Sequence, residues 1–382
     1  MPDHDVIVVG AGPVGLLLSC LLAARGLDVM LCERRHGIDR ADADQRTRAI
    51  GIHPPGLAAL DGAGVGGEVR EEAVRLVRGE VHARGRRLAS VPFGVARPVL
   101  ILPQPRTEAL LRTRLRALGV SVRGGREAVG VRQDADQVVL RTRPVDGGRA
   151  RAESESSASF LIAADGVRSD LRAQLDIPWL TRPGLGRYSM IDLPDPDEEP
   201  VAHLFCGPEG LVESFPLPQG RRRWVVRHPA GVDELPGERF TAEVRRRTGA
   251  ALELPGDREP ESFVAAQHRA QRVIDGRIVL LGDAAHEVSP IGGQGMNLGW
   301  VDALRLADPL RRSVETGRPA LSGFARRSAR AVADVHRRAR FYMWMGSSRR
   351  PAGQAVQEGM IRMLGAPPLR FGATALITMR GV

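Results

Sequence analysis

Between Gly282 and Asn297 the chain places Asp283, Pro290 and the glycines Gly292, Gly293 and Gly295 just ahead of a helical pattern. A helix N-terminus presents backbone N–H groups with no intrahelical partner, so a glycine run there forms an amide cradle for a flat anionic ligand. A second arrangement of this kind lies near the start. Asp5 to Gly10 reads as a buried strand, Gly10-Ala-Gly12-Pro13-Val14-Gly15 follows at once, and Leu16 to Ala24 is an apolar helix. A second strand, Asp28 to Cys32, ends on Glu33. In this geometry the glycines supply a tight turn, a close approach to pyrophosphate and close helix–strand packing. Glu33 stands at the offset of about twenty residues where an acid bonds ribose hydroxyls. The alternative is a glycine-rich turn that binds nothing.

Gly62-Ala-Gly64-Val-Gly66-Gly67 also satisfies the bare glycine spacing, but Pro55 to Asp61 before it reads as a short helix rather than a strand. It is therefore expected to be a loop, and the chain to hold one dinucleotide fold. The third chemical segment is Phe160 to Arg172, where a buried strand delivers Asp165-Gly166 and Ser169 is placed to cap a helix. By itself it is equally an ordinary strand-to-helix corner.

Together, in this order, the three segments resemble the FAD-dependent aromatic hydroxylases typified by para-hydroxybenzoate hydroxylase, over most of residues 1–310. The resemblance implies that Gly10, Gly12, Gly15 and Glu33, with Pro13, Val14 and Arg34 beside them, hold the ADP half of FAD. It implies that Asp283 bonds the ribityl chain and that Gly293, Gly295, Met296 and Asn297 lie along the flavin, with Pro290 on its oxygen-reacting face. Asp165 matches an Asp-Gly motif serving FAD and the nicotinamide cofactor. Arg48 matches an arginine near the FAD phosphates, against a solvated arginine, and Gln104 a flavin-contacting glutamine, against a loop-capping amide. The implied reaction is hydroxylation of an aromatic, phenolic or quinone-like molecule, such as a polyketide or phenolic lipid, with O2 and transiently bound NADH or NADPH, through a flavin C4a-hydroperoxide. Two other readings stay open: an FAD-dependent reductase of isoprenoid double bonds, and a non-catalytic flavin-binding partner in a biosynthetic complex. A flavin-dependent halogenase is disfavoured, because its Trp-x-Trp-x-Ile motif and active lysine are missing.

Composition narrows the chemistry. All 55 Lys+Arg positions are arginine, so lysine Schiff bases and a P-loop lysine are excluded. The net charge of +10 is dispersed along the chain with no aromatic-interleaved basic run, so no nucleic-acid partner is expected. Cys20, Cys32 and Cys206 have no metal or redox spacing, and His286 has no second metal ligand at helical or hairpin spacing, so no metal is expected. A strand beginning by residue 5 leaves no room for a leader, and no apolar run approaches the ~20 residues of a membrane span, so the cytoplasm is the expected compartment.

The elements that must position these groups give an α/β fold: a Rossmann-like FAD-binding domain interleaved with a mixed β-sheet substrate domain, plus C-terminal helices. The FAD-binding domain is expected from residues 1–70, 100–175 and 268–310, the substrate domain from 71–99 and 176–267, and a helical region from 311–382. Gly186 to Ile191, Val201 to Cys206, Leu211 to Pro216 and Arg223 to Arg227 read as substrate-domain strands. His203, Arg227 and Tyr188 on these strands are the candidate catalytic groups, against structural roles for each. The C-terminal helices are read as closing the fold; the alternative is an amphipathic surface that touches membrane.

Overall fold

Val6, Ile7 and Val8 are fully buried because the strand His4–Val9 sits mid-sheet with neighbours on both edges; Val6 and Val8 share a core with helix residues such as Leu17 and Leu306, and Ile7 shares one with strand residues such as Val138 and Leu140. It pairs in parallel with Ser154–Ala163 on one side and Val29–Cys32 on the other, and Ile278–Leu280 and Ser121–Arg123 extend the parallel set outward. Three further strands complete an eight-stranded sheet. The structure is a computed structural model and describes residues 2–36, 49–145, 153–182, 186–256, 258–347 and 350–382.

The register of the parallel strands decides where chemistry can occur. Val9 is level with Cys32 and with Ala163, and Ala163 is level with Leu280. Gly10, Glu33, Asp165 and Gly282 therefore leave the sheet together along one carboxyl edge, where ligands of open α/β sheets bind.

A seven-stranded sheet runs Glu261–Val264, Arg187–Pro194, Arg221–Arg227, Gly210–Leu217, Val201–Gly207, Arg78–Ala83 and Arg86–Pro92. Only the Val201–Gly207 and Arg78–Ala83 pair is parallel. One face, carrying Trp224 and Val226, packs on Phe240 and Val244 of the helix Gly237–Thr248, an element the broken texture of this stretch did not announce. The strand Arg126–Gln133 was likewise unforeseen, and the strand read from Phe160 starts at Ser154 because its polar lead pairs with Val138–Pro144.

The boundaries drawn at 70 and 310 both fall inside helices, Gly66–Glu72 and Gly295–Thr316. The Gly62–Gly67 segment expected as a loop is the end of the helix Pro54–Ala63, a left-handed Gly64 (φ 79°) and the start of Gly66–Glu72, with no strand leading in. After Gly295–Thr316 come Ser322–Met345, Pro351–Gly365 and Leu369–Ile377. Among the described residues no helix is long and apolar enough to cross a membrane.

Candidate functional site

A cavity of about 810 Å3 runs from the carboxyl edge of the parallel sheet to the inner face of the seven-stranded sheet. At its polar end Gly12, Pro13, Val14, Gln104, Asp283, Pro290, Gly293, Gly295 and Met296 line the wall. The glycine loop there is built by steric necessity. A Cβ on Gly15 would meet the Gly10 carbonyl oxygen at 1.9 Å, whereas a Cβ on Gly12 would have nothing within 4 Å. Gly15 is spent on packing, and Gly12 leaves open space in front of the N-terminus of Pro13–Ala23. Such space suits a phosphate group facing unpaired amides. Pro13 opens the helix where its missing N–H is harmless.

Glu33 is buried beside this loop and accepts the Ala11 N–H at 2.7 Å and the Arg35 N–H at 2.9 Å. Burial pushes its carboxyl up, but the Arg35 N–H and guanidinium and the Ala11 N–H outweigh this and hold it below the usual range. Arg34 is exposed next to it. Asp165 accepts the Leu171 N–H at 3.4 Å through Oδ2, while Oδ1 is buried with no partner among the described residues. Burial raises its carboxyl, so a ligand hydroxyl at Oδ1 would satisfy a group the fold leaves bare. Asp283 is exposed to the cavity interior rather than to bulk solvent, and enclosure by the surrounding protein pushes its carboxyl up to about 6.

The loop before Gly295–Thr316 turns through Gly292 (φ 88°) and Gly293 (φ 64°), a left-handed pair open to glycine without strain. Asn297 ties three segments together. Its Oδ1 accepts the His53 N–H at 2.8 Å, and its Nδ2 donates to the carbonyls of Gly51 and Gly293, each at 2.9 Å. Asn297 is not among the residues lining the cavity, while Gly295 and Met296 face it. Gln104 faces the cavity too, with its Nε2 donating to Glu108 at 2.8 Å. Arg48 lies outside the described residues.

These residues fit FAD: open space at a helix N-terminus, the Glu33 carboxylate after the second parallel strand and an unsatisfied Asp165 oxygen all stand along the carboxyl edge of the sheet, beside the cavity that Gly12 and Asp283 line. A family model described as FAD binding domain matches residues 3–338. The chain belongs to this family. It is 30% identical over 327 residues to a Bacillus subtilis (strain 168) protein named an uncharacterized aromatic compound monooxygenase, covering 84% of this chain and 64% of that protein. It is also 30% identical over 327 residues to a 12-dehydrotetracycline 5-monooxygenase/anhydrotetracycline 6-monooxygenase of Streptomyces rimosus, covering 79% of this chain and 61% of that one. The chain thus spans less than two thirds of the length of these curated relatives. The crystal structure of p-nitrophenol 4-monooxygenase from Pseudomonas putida DLL-E4 superposes with a TM-score of 0.84 and 23% identity, over 99% of both chains, and shares the fold.

None of the three expected catalytic side chains lines the cavity of this FAD-binding chain. Strand alternation explains His203: Ala202, Leu204 and Cys206 face the cavity, so His203 points to the opposite face of the sheet. There it lies 3.4 Å from His82 and 3.9 Å from a Glu80 oxygen. Tyr188 and Arg227 share the cavity-side face but lie past its edge, opposite each other on adjacent strands. The Arg227 guanidinium donates to the carbonyls of Met343 and Gly346 at 3.1 Å, and Tyr188 is fully buried under it, stacked on Phe263. Both stand where the C-terminal helices meet the sheet.

Three cavity residues escaped the sequence reading. His53 is buried, 3.3 Å from the Gly292 carbonyl, and burial lowers its pKa to about 4, so it is neutral at pH 7. Arg223 is held bidentate by Asp192 at 2.6 and 2.9 Å. Glu213 sits on the middle strand of the seven-stranded sheet with burial pushing its carboxyl up to about 7. Its one detectable signal is the position two residues after Leu211 in an otherwise apolar alternation.

A stability test follows from that pKa. The Glu213 carboxyl, protonated more readily folded than unfolded, contributes stability below about pH 4.5 that is lost as pH rises through about 7. Glu213→Gln, a neutral mimic, is expected to gain on the parent between pH 5 and 8 in paired urea melts, by up to about 3 kcal/mol. A flat difference across that range would show that the group is not buried as described.

Proposed function

We propose that this chain is an FAD-dependent monooxygenase that uses NADH or NADPH and O2 to hydroxylate an aromatic, phenolic or quinone-like small molecule. The observation carrying this reading is one cavity joining a dinucleotide-shaped amide cradle to a wide apolar wall, in a chain whose relatives are named monooxygenases. FAD, when bound, supplies hydride acceptance and oxygen activation. The protein supplies placement and exclusion of water. Gly12 admits the diphosphate, Glu33 accepts ribose hydroxyls, and Asp165 and Asp283 accept hydroxyls further along. The first-turn N–H groups at Gly295 and Met296 bring the positive end of a helix to a developing negative edge.

The apolar wall comes from the sheet and from the chain's end. Val81, Ala89, Leu204 and Val225 line one side, and Ile361, Leu364, Leu369 and Ile377 of the last two helices cover it. This enclosure is what a water-sensitive oxygen-transfer site needs. The last two helices thus act as a roof over the substrate end.

The experiment loads the protein with FAD and screens phenols and quinones for stimulated NADH or NADPH oxidation, with oxygen uptake and product mass followed together. One oxygen atom gained from labelled dioxygen is the expected result. Substrate reduction without oxygen uptake would favour a double-bond reductase, and no turnover with tight flavin binding would favour a non-catalytic partner. A separate expectation concerns Asp283→Ala: flavin absorbance recovered with the purified protein should fall at least about fivefold, since a ligand hydroxyl loses a charged acceptor worth about 1.5–3 kcal/mol. Full flavin occupancy in that variant would remove Asp283 from the cofactor site.

A further inference from the structure

Among the described residues, Glu213 is the one acid lining the cavity from the seven-stranded sheet, and no described side chain satisfies it. It is 4% exposed, it makes no hydrogen bond to any described residue, and it lines the cavity. Its cross-strand neighbours are Leu204 and Val225, and Leu211 and Phe215 flank it on its own strand toward the same side. A buried carboxyl left bare costs about 1–3 kcal/mol or more, so a position like this points to a partner outside the chain. The nearby cation offers no relief. Arg223 is one register step away beside Phe215, but Asp192 already holds its guanidinium with two bonds.

We infer that Glu213 anchors the substrate through a hydrogen-bond-donating hydroxyl, and that the cavity selects a neutral hydroxylated polycycle over an aromatic carboxylate. This rests on the hydroxylase reading above and names the substrate class for it. The other ionisable groups on the wall are Cys206, Arg223, Asp283, Glu287, Tyr342 and His53. His53 is neutral, Cys206 and Tyr342 are driven up by burial and stay protonated, and the Arg223 charge is matched by Asp192. Glu287 is paired with His268 at 2.6 Å, so among the described side chains of the wall the ones left without an ionic partner are the acids Glu213 and Asp283; an anionic ligand meets repulsion there while a hydroxyl donor meets an acceptor. Once bound, the hydroxyl O–H bond can break toward the Glu213 carboxylate. The proton then moves to Glu213 and the electron pair stays on the substrate oxygen, where conjugation enriches the ring. No oxidant enters that step, and the carboxyl's position near neutrality suits it to give and take this proton.

The test uses naphthol, its methyl ether and naphthoic acid as probes of the FAD-loaded protein, with affinity read by flavin fluorescence. The parent is expected to bind naphthol at least about tenfold more tightly than the ether, and naphthoic acid more weakly than naphthol. Glu213→Leu should erase the naphthol–ether ratio, and Glu213→Gln should keep part of it because an amide oxygen still accepts. Absorbance of bound naphthol should shift toward the naphtholate form on the parent and not on Glu213→Gln. If Glu213→Leu fails to fold, the isosteric glutamine variant decides through that spectrum. An unchanged ratio in the variants, tighter binding of naphthoic acid, or no binding of naphthol overturns the inference. Glu213-dependent binding without any oxygenated product would sink the hydroxylase reading alone, and hydroxylation indifferent to Glu213 would sink this inference alone.

Discussion

Gly15→Ala is expected to destabilise the protein by at least about 3 kcal/mol and to leave it without flavin, because the new methyl group lands 1.9 Å from the Gly10 carbonyl oxygen. That oxygen belongs to backbone with nowhere to retreat, since Gly10 is itself pressed against the Ala164 carbonyl. Gly12→Ala is the informative partner. Gly12 has extended backbone (φ −75°, ψ −179°) that alanine adopts freely, and its added methyl group touches nothing in the protein. Its unfolding free energy from urea melts should therefore stay within about 0.5 kcal/mol of the parent. FAD affinity should nevertheless fall at least about tenfold, equal to about 1.4 kcal/mol, because the methyl group occupies the diphosphate's approach. Equal flavin affinity in the parent and Gly12→Ala would move the diphosphate elsewhere; equal stability in the parent and Gly15→Ala would mean that the loop packs differently.

Asp302→Ala is the other large effect, about 3 kcal/mol lost, read as a lower urea midpoint at unchanged slope. Asp302 is 1% exposed on the helix Gly295–Thr316. Its Oδ2 accepts Ser328 Oγ at 2.5 Å from the following helix and lies 3.2 Å from His286 Nε2 in the glycine-rich loop. Truncation strands two buried polar groups at once and unties the loop that carries Asp283 and Pro290, so flavin retention should drop with stability. Asp302→Asn keeps an acceptor of the same shape and should recover at least half of the loss. Parity between Asp302→Ala and the parent would show that this junction holds nothing together.

How much of this was legible beforehand differs from element to element. The strand runs Val6–Val9 and Phe160–Ala163 are apolar without a break, which is how strands buried on both faces must read. The four strands read between Gly186 and Arg227 are short apolar runs set off by Pro, Gly and charged residues, and all four occur within two or three residues of the expected ends. The arginine-rich helix Gly237–Thr248 stayed hidden because its core contacts, Phe240 and Val244, are too few to stand out from the charged residues around them.

The sequence alone determined the flavin-type end, because glycine spacing, a strand before it and an acid after it are local properties of a continuous chain. Side-chain period also set which strand residues share a face. Only tertiary structure decided which face looks into the cavity, and that turned His203 outward, placed Tyr188 and Arg227 beneath the end of a helix, and brought Glu213 to the middle of the wall. It also folded the last two helices over the apolar end of the cavity. Those outcomes depend on contacts between segments more than a hundred residues apart, and long-range packing leaves no periodic trace in the chain that carries it.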